Sequence, residues 1–326
     1  MTIDTQILTA LRAAGGNGVA GTELSQKVGI SRAAVWARIE EMRSLGYEIE
    51  ASPHLGYRLV SVPDVLHADD LLSSLGKTRV IGRDIRVFEE TTSTNDVIEK
   101  LARDGVKEGA VVFAESQTKG RGRLGRKWMS PPRRGLWFSV LLRPQLPPAS
   151  VTQLTIAAAT AMFRSIRAQT GLSPGIKWPN DILMGGRKVA GILTELSAEL
   201  DKVKYVILGV GVDVNLTATE FPPELRKLAT SLKIETGHKL NRAELAVRIL
   251  QELDHDYARV CSGQFEAVAN EWEEHCSTIG HNVVIHVGDR RIQGCAESLD
   301  ADGALLLRTQ HGRLERIIGG DVFLEK

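Results

Sequence analysis

Cysteine, net charge and long apolar runs are all scarce in this chain of 326 residues, and each shortage excludes a class of protein. Cys261, Cys276 and Cys295 lie far apart with no CxxC pair, which speaks against a disulfide scaffold or a zinc knuckle and fits a reducing compartment. The 41 basic and 40 acidic residues leave a formal charge of +1, so no global field draws the protein to nucleic acid or to a membrane; any such binding must be local. No apolar run approaches the roughly 20 residues that span a bilayer. The start, MTIDTQILTALRAAGG, lacks a basic segment followed by an apolar one, so a cytoplasmic protein is expected. Repeats and low-complexity tracts are also lacking. What remains is length, and this length is too great for one ordinary core: two or three domains are expected.

The organisation reads as three segments. Ile7, Leu8 and Leu11 mark a short amphipathic helix over about 5–14, ended by Gly15-Gly16, and a second helix covers about 21–28. Ser31 is placed as the N-cap of a third, whose Val35, Ile39 and Met42 line one face. Tyr47–Glu50 and Gly56–Leu59 flank Pro53-His54 as a hairpin, completing a winged helix-turn-helix over 1–63. Its third helix would present Ser31, Arg32, Ala33 and Trp36 to a major groove, the small residues admitting the backbone and Arg32 reaching phosphate or guanine. The same three helices also suit packing against protein. Residues 1–63 carry six basic and six acidic side chains, which offers DNA no net attraction.

Ser61–Asp64 reads as a linker. Over 64–275, strand-like runs at 87–88, 111–114, 136–142 and 203–210 alternate with helical runs near 96–103 and 151–170, a mixed sheet covered by helices. Further helices are expected over 242–260 and 264–272. From 276 to 326 short strands separated by Gly288-Asp289, Asp302-Gly303, Gly312 and Gly319-Gly320 suggest a small antiparallel barrel.

Gly120-Arg121-Gly122-Arg123-Leu124-Gly125 matches GxGxxG, but Arg126-Lys127-Trp128-Met129-Ser130-Pro131-Pro132 follows it and cannot open the helix that a dinucleotide fingerprint needs. A glycine loop carrying Arg121, Arg123, Arg126 and Lys127 suits folding over a phosphate; a solvated basic loop or a nucleic-acid contact has the same composition. Lys177-Trp178-Pro179-Asn180-Asp181 suits a nucleotide and magnesium site, with Lys177 on phosphate and Asp181 near the metal, or an ordinary β-turn. Lys188 stands at the mouth of an apolar strand, where most lysines are merely solvated. Thr92-Ser93-Thr94-Asn95 either caps a helix at Asp96 or supplies ligand contacts. Gly209 and Gly211 allow close approach of a ligand, or mark a bulge. No Ser-His-Asp or Cys-His arrangement is recognisable.

Together these motifs resemble biotin protein ligases, in particular the bifunctional kind that also represses the biotin operon, and the likeness in domain order spans essentially the whole chain. The resemblance implies a multidomain α+β protein: an N-terminal winged helix-turn-helix, a central mixed sheet with helices like that of class II aminoacyl-tRNA synthetases, and an SH3-like C-terminal barrel. It implies biotin on Ser93, Thr94, Asn95, Gln117, Arg121, Gly122, Arg123 and Lys188, with Arg121, Gly122 and Arg123 closing over the adenylate. It implies ATP on Gly120, Arg126, Trp128, Lys177, Asn180, Asp181 and Asn215, with Mg²⁺ at Asp181, and catalytic charge from Arg123, Lys188 and Lys177. Implied partners are a biotin carboxyl carrier protein, operator DNA and a second copy in a ligand-promoted homodimer, with no membrane. One position departs: Asp213 stands where the family's GxGxNxN strand usually has Asn, and a carboxylate near triphosphate is unfavourable unless paired or metal-bound.

Overall fold

The structure is a computed structural model that describes residues 1–200 and 202–324. It divides into two compact units, Met1–Lys77 with Asn241–Val247, and Thr78–Leu240 with Arg248–Lys326.

In the first unit, α1 (Ile3–Ala14), α2 (Gly21–Val28) and α3 (Arg32–Ser44) precede a hairpin of β1 (Glu48–Ser52) and β2 (Gly56–Ser61). Each helix end has a local cause. Thr2 accepts from the Thr5 N–H at 3.0 Å at the start of α1, Gly29 closes α2 in the left-handed region, and Ser31 accepts from the Ala34 N–H at 3.2 Å. Ile7, Leu8, Leu11, Leu24, Val35, Ile39, Met42 and Ile49 form one buried core, as the periodicity predicts. Gly56, at φ 75°, sits where any Cβ would overlap the Val19 backbone, which pairs with Tyr57 across the base of the wing. The polar stretch after β2 leads into a helix the sequence reading missed, α4 (Ala68–Leu75). It is held by Asp70 on Arg12, by Asp69 accepting from the Thr5 hydroxyl at 2.5 Å, and by buried Leu71 and Leu75. Three leucines within eight residues give too short a signal to distinguish from a turn.

In the second unit, β3 (Asp84–Thr91), β4 (Ala110–Gln117), β5 (Leu136–Leu142), β6 (Gly175–Lys177), β7 (Asp181–Met184), β8 (Arg187–Glu199) and β9 (Lys202–Val212) form a seven-stranded sheet in the order β3-β4-β5-β9-β8-β7-β6. Only β3 and β4 pair in parallel, and α5 (Thr94–Arg103) makes the crossover that parallel pairing requires. The other neighbours are antiparallel. β4 and β5 are buried along nearly their whole length because both faces are covered, and they read as apolar runs over 110–114 and 136–142; Phe113 and Phe138 meet at 4.9 Å. Helices α6 (Thr152–Thr170), α7 (Leu232–Thr236), α8 (Arg242–Cys261) and α9 (Phe265–Glu274) follow, α8 entering this unit at Arg248. The chain ends in a five-stranded antiparallel sheet, β10 (Asn282–Val287), β11 (Arg290–Leu299), β12 (Leu305–Thr309), β13 (Leu314–Ile317) and β14 (Asp321–Leu324), ordered β13-β12-β11-β10-β14. Its turns fall at the glycines expected to mark them.

Candidate functional site

Glycines make the floor of the site. Gly191 of β8 pairs with Gly211 of β9 in unbroken register, so Gly209 and Gly211 allow close approach and mark no bulge. A Cβ on Gly211 would come within 2.5 Å of the Trp128 indole, one on Gly191 within 3.1 Å of it, and one on Gly209 would overlap the Asn95 amide. The Trp128 indole and the Asn95 amide therefore come this close to the strands only because side chains are missing beneath them. Trp128 is further held edge-on by Trp137 at 6.4 Å and by the Lys188 ammonium, 5.1 Å from its ring centre. A cavity of about 410 Å³ opens beside this floor.

A polar wall stands at one end of the cavity. Ser93 occupies the cap position of α5 without a side-chain cap bond. Gln117 instead accepts from the Thr94 N–H at 2.8 Å and donates to the Ser130 hydroxyl at 2.8 Å. The Ser139 hydroxyl bonds Thr94 Oγ1 at 2.7 Å and Asn95 Oδ1 at 2.5 Å, while Asn95 Nδ2 donates to Glu195 at 2.6 Å. Ser93, Thr94 and Asn95 are each buried. Sequence reasoning missed Ser130, Ser139 and Glu195. Ser139 had a signal, as the one hydroxyl in the apolar run Leu136-Trp137-Phe138-Ser139-Val140-Leu141-Leu142; Glu195 had none.

The loop between β4 and β5 covers this wall, and its arginines differ in what neutralises them. Arg121 forks onto Glu195 at 3.0 and 2.9 Å and reaches Asp96 at 2.5 Å, contacts that push its pKa further up. Two carboxylates neutralise its charge, and Arg121 lines the cavity. Arg126 pairs with Asp321 at the start of β14 and holds that carboxyl below its usual range. Arg123, between them, meets only neutral acceptors, Asn180 Oδ1 at 3.1 Å and the Gly320 carbonyl at 3.4 Å; burial lowers its pKa. Among the described residues it has no ion pair. Gly122 donates to the Arg126 carbonyl at 2.7 Å, which folds the loop on itself. Gly120 is confined by Trp128 and Ser130 and lies outside the cavity.

The second cationic group comes from the β6–β7 turn and β8. Lys177 faces the cavity, and among the described residues it makes no ion pair. Lys188 pairs with Asp181 at 2.6 Å. Asn180 is both turn and site: its Nδ2 donates to the Ile192 carbonyl at 2.6 Å while its Oδ1 receives Arg123. Asp213 faces the cavity but is 5% exposed; loss of water pushes its pKa well up, and only the Lys188 charge opposes that. Asn215, expected at the nucleotide, lies outside the cavity, with its amide exchanging bonds of 2.9 and 3.0 Å with the Leu240 backbone. No group of three His, Cys, Asp or Glu side chains suited to a metal occurs among the described residues. Nor is any described helix long and apolar enough to cross a membrane.

On α3 of the first unit, Ser31, Arg32, Ala33 and Trp36 are exposed along one side, with Trp36 57% exposed. Arg38 is instead drawn onto Asp4 at 2.7 and 2.6 Å.

Three family models match the chain: an HTH domain over residues 4–58, the biotin/lipoate A/B protein ligase family over 87–213, and the biotin protein ligase C terminal domain over 278–325. The bifunctional ligase/repressor BirA of Bacillus subtilis is 38% identical over 323 residues, 99% of each chain. That of Escherichia coli is 30% identical over 305 residues, 93% of this chain and 92% of its own. Among solved structures, the biotin protein ligase from Aquifex aeolicus in complex with biotin and ATP aligns with a TM-score of 0.64 at 30% identity, covering 75% of this chain and 99% of that one.

Proposed function

The chain belongs to the biotin/lipoate A/B protein ligase family, and we propose that it activates biotin with ATP, then transfers it to a lysine of a biotin carboxyl carrier protein. In the first step a biotin carboxylate oxygen attacks the α-phosphorus, forming the mixed anhydride biotinyl-AMP and expelling pyrophosphate. In the second the lysine amine attacks the acyl carbon, forms the amide, loses a proton and expels AMP. The observation that carries this reading is the division of the cavity. One end is a wall of neutral donors and acceptors; the other holds Arg123 and Lys177 without carboxylate partners and Lys188 on Asp181. A ureido ring with one acidic tail suits the first, and a polyphosphate suits the second.

Biotin is assigned to Ser93, Thr94, Asn95 and Gln117, with Gly122 and Arg123 over its tail and Lys188 at the reacting carboxyl. Trp128, Asn180 and Asp181 face the nucleotide, with Arg126 at the mouth. The loop excludes water from an anhydride that water destroys. A divalent cation fits the site as one held by a single carboxylate, Asp181, and mainly by substrate phosphates, since no larger ligand cluster is present among the described residues. It would neutralise phosphate charge. Asp213, buried and inclined to keep its proton, is compatible with bound phosphate in a way an ionised carboxylate is not.

The helix-turn-helix segment supports repression of biotin biosynthesis genes, with α3 in a major groove. We assign the roles to modules at 1–63, 64–275 and 276–326, place the protein in the cytoplasm, and infer that adenylate-ordered loops favour a homodimer reading two half-sites. An unchanged sedimentation coefficient with biotin and ATP at micromolar protein contradicts the dimer. The catalytic reading is tested by ATP–pyrophosphate exchange: it requires biotin, whereas exchange driven by lipoate marks a lipoate ligase, and none marks a ligand-sensing regulator.

A further inference from the structure

Glu195 is assigned nothing by the motifs of this chain, yet its carboxylate touches both the polar wall, at Asn95, and the covering loop, at Arg121. From β8 it accepts Asn95 Nδ2 at 2.6 Å, and it receives the Arg121 fork at 3.0 Å on Oε1 and 2.9 Å on Oε2. We propose that Glu195 is a positioning residue that couples the occupied biotin pocket to closure of the loop. The assignment rests on the reading above.

Two features separate this from an ordinary surface ion pair, which contributes about 0–1 kcal/mol. The first concerns the sense of an amide. With Ser139 donating to its Oδ1, Asn95 must turn its Nδ2 to Glu195; the reversed amide would set a carbonyl against a carboxylate. Glu195 thus fixes which atoms the wall presents. The second concerns sharing. Oε2 accepts from Asn95 and from Arg121 together, so any ligand that moves Asn95 shifts the acceptor on which the loop is anchored. Asp96 also binds Arg121, at 2.5 Å, but its carboxylate accepts from Thr92 while the Asn95 amide donates to Glu195, which makes it the internal control.

The test compares Glu195→Gln, Arg121→Gln, the double variant and Asp96→Asn in the full chain, reading the release rate of preformed biotinyl-AMP, biotin affinity without ATP, and melting temperature. Glutamine keeps an acceptor for Asn95 but removes the charge that holds the fork. E195Q is expected to release adenylate about tenfold faster and to change biotin affinity by less than about threefold, at a melting temperature near that of the parent. Adding R121Q to E195Q should add nothing, and D96N should speed release less than E195Q does. Release from E195Q at the parent rate, independent multiplying effects of E195Q and R121Q, or a larger effect from D96N overturns the assignment. An E195Q chain that melts early is judged by R121Q, which then must speed release by itself. A parent chain that forms no adenylate overturns the functional reading, and this assignment with it.

Discussion

At the residue scale, the three loop arginines share a motif but not an environment. Arg121 and Arg126 are neutralised by carboxylates, and Arg123 is desolvated against an amide and a carbonyl. A half-buried cation that Asp321 and Asp181 stabilise only at a distance carries a desolvation cost, and an arriving phosphate relieves that cost. Arg123→Gly is therefore expected to speed adenylate release by about thirtyfold, ~2 kcal/mol, while biotin binding changes far less; stopped-flow release and direct binding separate the two. Equal losses in both contradict the assignment. Asp213 gives a pH prediction. Its folded pKa is raised, so its contribution to stability is fully present below the unfolded value and is lost as pH rises through the folded one. Asp213→Asn removes that loss. The melting temperatures of the two proteins should converge at acid pH and separate in favour of the variant as pH rises; parallel curves would mean that Asp213 is not desolvated. The motifs made Arg121, Arg123, Arg126 and Lys188 legible as neighbouring cations, and the structure brings them to one cavity. Which of them is unpaired was not legible, because Glu195, Asp96, Asp321 and Asp181 reach Arg121, Arg126 and Lys188 only through tertiary pairing.

At the element scale, periodicity and punctuation located α2, α3 and the wing closely, since each has a cap or a left-handed glycine at its end. The Ser31 cap is testable: Ser31→Ala should destabilise the first unit by about 1 kcal/mol, seen as an earlier transition for that unit in calorimetry. The reading failed where a short element depends on its neighbours, as α4 does on Arg12 and Thr5, and where a polar residue is buried by pairing, as Ser139 is. The glycines of β9 were visible but ambiguous, and only the register, with Gly191 of β8 opposite Gly211, shows that they make room for Trp128 and Asn95. Gly211→Ala must displace the indole. Overpacking there should cost about 1–3 kcal/mol and raise the KM for ATP, measured by melting and by exchange kinetics. Wild-type values in both would show that the indole does not depend on that gap.

At the scale of the whole molecule, the site draws on segments far apart in sequence: α5, the β4–β5 loop, the β6–β7 turn, β8, β9 and the start of β14 all reach one cavity. The Arg126–Asp321 pair closes that list by tying the loop to the C-terminal sheet. Arg126 is 63% exposed, so the pair contributes at most about 1 kcal/mol; Asp321→Asn should barely move the melting temperature yet expose the loop to proteolysis several-fold faster. The central claim is that this assembly makes a biotinyl anhydride and hands its acyl group to a lysine. Intact-mass analysis of a biotin carboxyl carrier domain incubated with the protein, ATP, Mg²⁺ and biotin tests it most directly. One biotinyl group on a single lysine, dependent on ATP and absent when lipoate replaces biotin, is the predicted result; an unmodified carrier, or one modified equally from lipoate, would contradict it.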